Sequence, residues 1–130
     1  MTGVWTVLAA TAAAFVVGFA WYALVPPRLA AAPDSGGGQA AAESPPWALL
    51  VELARCLVVA VVMAWLSTSV AADGVREALA LGAVAWVGFP VVLLAGSVLW
   101  EGVPARRAAI HAGDWLAKLL AVAVIVTAWG

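Results

Sequence analysis

Charge is what this sequence has least of: 10% of its 130 residues are Asp, Glu, Lys or Arg, where a soluble domain carries about 25%. So few charged groups cannot solvate the outside of a water-soluble fold, so lipid must face most of the surface. The net charge is −1 and the six basic residues are scattered, which excludes the electrostatic footprint of a nucleic-acid-binding protein. The single cysteine, Cys56, excludes an internal disulfide. It lies inside an apolar run, where a buried, inert thiol is the expected state. There is one histidine, His111, and no spaced pair of ligands of the kind that zinc sites use. A metal reading would have to assemble His111, Asp114, Glu52 and Glu101, and no resident metal is expected. Phosphate loops, haem or iron–sulfur patterns and a nucleophile set beside a base are also missing. The residues give no support to an enzyme, and no bound cofactor is expected.

What is present is apolar length. The chain is 66% hydrophobic with a mean hydropathy of +1.08. A membrane-spanning helix needs about 20 mostly apolar residues, and four stretches supply them: 3–25, 47–70, 75–100 and 107–129. Alanine is abundant in each and none alternates with period two, which favours helices over strands. Pro26-Pro27 ends the first span and Pro45-Pro46 precedes the second. Ala72-Asp73-Gly74 forms a tight connection, and Glu101-Gly102-Val103-Pro104 separates the third span from the fourth. Pro90 falls inside the third span, where it removes the hydrogen bond to the Trp86 carbonyl and kinks the helix. Residues 26–46, rich in Pro, Gly and Ala without periodicity, read as a flexible linker. The expectation is one all-α domain over residues 1–130, a four-transmembrane-helix bundle.

Residues 29–32 offer a small-residue cleavage site. No Lys or Arg precedes the first apolar run, however, and that run is longer than a signal-peptide core, so a retained helix is expected. Orientation follows from basic residues in the connections. Arg28, Arg106 and Arg107 fall on one side and Arg76 on the other. This places the linker and the 101–107 loop in the cytoplasm and both termini outside a bacterial cytoplasmic membrane.

The few charged residues within the spans are the informative exceptions, since each costs about 2.5–3.5 kcal/mol at the centre of a bilayer helix. The second span carries Glu52 and Arg55, and the fourth carries His111, Asp114 and Lys118. Both enter from the same side, so the two groups lie at similar depth. At about 100° per residue His111 and Lys118 lie within roughly 20° of each other, with Asp114 about 60° away. Asp114 and Lys118 are spaced i, i+4 in the better-oriented sense, and Glu52 and Arg55 are i, i+3 neighbours. Ser97 and Glu101 end the third span on the same side. These residues form a candidate intramembrane polar cluster of Glu52, Arg55, Glu101, His111, Asp114 and Lys118. Two readings of it stand side by side: paired charges that only hold helices together, and a site for a ligand, proton or ion.

Small residues mark helix packing. Ala10, Ala14, Gly18 and Tyr22 recur every fourth position in the first span, and Ala78, Gly82 and Trp86 in the third, allowing close helix approach. Ala14, Gly18, Gly82 and Pro90 are the packing positions expected to matter. Trp5, Trp21, Tyr22, Trp47, Trp100 and Trp129 fall near span ends, where an aromatic belt would sit. Trp65, Trp86 and Trp115 lie deeper and are expected to fill the bundle.

Gly18-Phe19-Ala20-Trp21-Tyr22 closes the first span. Trp86-Val87-Gly88-Phe89 and then Leu99-Trp100-Glu101-Gly102 lead to a fourth span with a polar start. That order and spacing, over nearly the whole chain, resemble the bacterial membrane family named domain of unknown function 1761. The resemblance implies a membrane location and a four-helix fold and brings no activity with it. The functional expectation is a structural or accessory membrane component that acts by self-association as a homo-oligomer or by binding a larger membrane complex. The alternative is a small-solute or proton-coupled transport component that uses the charged cluster. The lipid bilayer is the one partner common to both.

Overall fold

The computed structural model of the chain describes residues 3–25 and 45–129. Apart from Pro45 and Pro46, the linker expected over 26–46 lies outside the described residues. Those residues form the helices α1 (Val4–Leu24), α2 (Pro46–Ser69), α3 (Gly74–Gly88), α4 (Pro90–Trp100) and α5 (Ala105–Ala128), with no strand among them. Taken with α3 and α4 as one unit, Gly74–Trp100, they give four helices long and apolar enough to cross a membrane. The protein is a multi-pass membrane protein built as a four-helix bundle.

Helix ends follow local chemistry. Pro46 occupies the first position of α2, where a missing N–H costs nothing. α2 ends in a Schellman turn: Ala71 sits at φ 53, and the Ala71 and Ala72 amides donate to the Thr68 and Ser67 carbonyls at 3.1 and 3.0 Å. At the start of α3 the Asp73 amide donates to Glu77 Oε2 at 2.6 Å, satisfying one of the helix's free amide groups. Pro90 breaks the third span outright. Phe89 is pushed to φ −122, ψ −75, off the helical region that a following proline disfavours. α5 begins directly after Pro104.

The contacts fix the helix directions. Gly18 faces Lys118 and Tyr22 meets His111, so α1 runs antiparallel to α5. Glu52 meets Lys118 and Ser67 meets Thr127, so α2 runs parallel to it. Gly82 lies on Leu119 and Trp86 on Ala112, so α3 is antiparallel. α5 packs against every other helix. It is the least apolar of the spans and also the most buried. Lipid solvates apolar side chains as well as a protein interior does, so the helix carrying polar groups gains most from the centre.

The core is made of small side chains: Ala10 and Ala14 from α1, Cys56, Ala60 and Ala64 from α2, Ala78 and Ala85 from α3, around Leu119, Val122, Ala123 and Val126 of α5. A β-carbon at Gly82 would come within 3.1 Å of the Leu119 carbonyl oxygen and 3.3 Å of Leu120 Cα, which marks the close approach of α3 to α5. Four hydroxyls on the spans are satisfied within their own helices. Thr11, Thr68, Ser69 and Ser97 donate to the carbonyl four residues back, and Ser67 pairs with Thr127 at 2.9 Å in the core.

Two expectations about aromatics are corrected. Trp65 is 68% exposed and points away from the bundle, because the buried face of α2 carries Cys56, Ala60, Met63, Ala64 and Ser67 on the other side. Trp21 and Tyr22 turn inward against α5 instead of joining a belt. Trp5, Trp47, Trp100 and Trp129 are exposed near helix ends.

Candidate functional site

The charged cluster is centred on Lys118. Its ammonium lies 3.0 Å from Asp114 Oδ2, one turn back on α5, and 3.5 Å from Glu52 Oε1 on α2. Helical side chains lean toward the N-terminus, so Lys118 reaches back to both acids although its Cα lies deeper. Glu52 also accepts from Arg55 Nη1 at 2.7 Å. Trp115 closes the group, with Lys118 Nζ 5.2 Å and the Arg55 guanidinium 5.9 Å from its ring, within cation–π range. Two carboxylates and two cations leave the cluster without net charge.

Burial divides it. The Lys118 and Asp114 side chains are 7% and 4% exposed, whereas Glu52 and Arg55 are 34% and 57% exposed. The inner pair is enclosed by α1: Gly18 has no side chain, and the lysine occupies that recess. Asp114 Oδ1 is buried without a hydrogen-bond partner among the described residues. Between the helices, a cleft lined by Ala14, Glu52, Arg55, Cys56, Val59, Trp115 and Lys118 leaves no enclosed space for a water molecule.

The remaining sequence candidates part company here. His111 Nδ1 is hydrogen-bonded to the Tyr22 hydroxyl, and none of the ion pairs of the cluster includes it. Glu101 does not join the cluster. It is exposed at the end of α4, with no ion pair among the described residues. The break at Phe89 separates α4 from the inward face of α3, and α4 contributes no buried residue, so a shared depth does not become a contact. Among the described residues no three His, Cys, Asp or Glu side chains converge to hold a metal ion.

Three further residues belong to this end of the bundle. Trp21 and Trp86 donate their indole N–H groups to the Ile110 and Ala112 carbonyls of α5, at 3.0 and 2.8 Å. Gly113 lies beneath Trp21, where a β-carbon would collide with Cζ2 of the ring. Gly113 beside the charged positions of α5 was the available signal. The uniformly apolar α1 gave none for which face Trp21 would present.

Chemically, the arrangement ties α1, α2 and α5 together through ion pairs and hydrogen bonds. A family described as "Protein of unknown function (DUF1761)" matches residues 5–127. No curated protein matches the chain, and no solved structure does.

Proposed function

The chain belongs to the DUF1761 family of proteins of unknown function, and from that premise we propose that it is an accessory component of a bacterial cytoplasmic membrane. It acts by associating with itself or with a larger membrane complex, and the charged cluster locks its helices in register. The observation that carries this reading is the Asp114–Lys118 pair, which is enclosed at 3.0 Å beside a cleft too tight for water. A solute pathway needs a wet or openable space at that point. The positive-inside bias of Arg28, Arg106 and Arg107 over Arg76 supports cytoplasmic placement of the 101–107 loop, with both termini outside.

One observation favours the second reading, a small-solute or proton-coupled transport component. Asp114 Oδ1 is buried and unpartnered, on the same helix as the Tyr22–His111 contact, and ionisable groups within a bilayer often mark proton routes. The two readings separate in proteoliposomes loaded with a pH-sensitive dye. The accessory reading expects an imposed pH gradient to decay as slowly as in protein-free vesicles. A faster collapse that disappears in Asp114→Asn would overturn it in favour of transport.

A further inference from the structure

The outer half of the cluster is on the wrong side for a finished bundle. Arg55 and Glu52 sit on the flank of α2 with their side chains 57% and 34% exposed. Arg55 lies nine residues into α2, about 14 Å along the helix, at a depth where a charge facing lipid is costly. Its neighbours on the outermost face are Val51, Val58, Val62 and Trp65, all exposed. Val51, Arg55, Val58, Val62 and Trp65 are separated by alternating steps of four and three, the spacing of a two-helix seam. They lie opposite the buried Cys56, Ala60, Met63 and Ser67. Within the bundle, Glu52 is the only described acid that pairs with Arg55.

We propose that this face of α2 docks on the same face of α2 in a second copy of the chain, forming a two-fold dimer. Identical chains inserted in one direction are related by an axis along the membrane normal, so their α2 helices run parallel and equal residues meet at equal depth. Glu52 and Arg55 are offset by only about 4.5 Å along the helix. Each guanidinium then reaches its own Glu52 and Glu52 of the second copy, closing a ring of alternating charges that removes both arginines from lipid. The carboxylate has lone pairs to spare for this while keeping Lys118. The occupant is a second copy because the Glu52–Arg55 patch is self-complementary: two acids and two bases face one another across the axis. This inference rests on the self-association reading above and names its surface.

The test uses the full chain in lipid bicelles, with Cys56→Ala removing the native thiol. Single cysteines at Val58→Cys and Val62→Cys should form disulfide-linked dimers on mild oxidation, whereas Val84→Cys, exposed on α3, should not. Arg55→Leu leaves Glu52 paired with Lys118 and so should fold, but should weaken dimerisation about tenfold by energy transfer between labelled copies. Dimers that cross-link through Val84→Cys and not through α2 would overturn the proposed seam and leave self-association standing. A dimer unaffected by Arg55→Leu would overturn the charge ring. A chain that stays monomeric at every protein-to-lipid ratio would overturn the dimer. Proton flux in the vesicle assay would instead reject the accessory reading, whatever the seam.

Discussion

Gly18 makes room for Lys118: a β-carbon on the glycine would lie 2.9 Å from the lysine Cε and 3.1 Å from its Nζ. A lysine tied to two carboxylates cannot swing aside as a free one would. Gly18→Leu should therefore lower thermal stability in detergent by about 1–3 kcal/mol through overpacking. Gly113→Ala should cost a similar amount, because the Trp21 ring above it is rigid and held by its bond to the Ile110 carbonyl. Unchanged melting of Gly18→Leu would show that the recess is absent.

Tyr22 and His111 join α1 to α5 through one hydrogen bond. Tyr22→Phe should cost about 1 kcal/mol. A double-mutant cycle with His111→Ala should return a coupling of similar size, since each single change removes the same bond. Additive effects would separate the two residues.

Ala71 is held at φ 53 in the turn that ends α2, a region that costs a residue with a β-carbon about 1–2 kcal/mol. Ala71→Gly is expected to stabilise the protein, by about 1 kcal/mol at most, because glycine also loses more freedom on folding. A lower melting temperature for this variant would contradict the Schellman turn.

The proposed orientation rests on the arginines. A reporter fused after Trp129 should be active only when exported, and one inserted beside Gly102 only when cytoplasmic. The reverse pattern would place the charged cluster in the outer half of the membrane.

The parts of the fold that were legible in the sequence are those set within one helix. Span lengths and the Asp114–Lys118 and Glu52–Arg55 spacings depend only on helical geometry and appear in the structure, whereas Pro90, expected to kink the third span, breaks it. What the sequence left open was how the helices rotate against one another. In a soluble helix the apolar stripe marks the buried face. In α1, apolar residues cover every side, so beyond the Ala10–Ala14–Gly18–Tyr22 stripe nothing distinguished Trp21 as inward-facing. Trp65 was misplaced for the same reason: depth along α2 was readable and rotation was not. Glu101 shared the depth of the cluster but lay beyond the break at Phe89, which sets α4 on its own course.

The central claim is that the charges of α5 hold the bundle together and do no other work, and a neutralising double mutant tests it most directly. Asp114→Asn alone leaves Lys118 short of its closest acid in an enclosed site, and breaking a buried pair costs about 3–5 kcal/mol. Asp114→Asn/Lys118→Met removes both charges and should recover most of the wild-type melting temperature in detergent. It should also retain whatever cellular phenotype the intact gene supports. A double mutant as stable as wild type that cannot restore that phenotype would contradict the account and make Asp114 and Lys118 a working site.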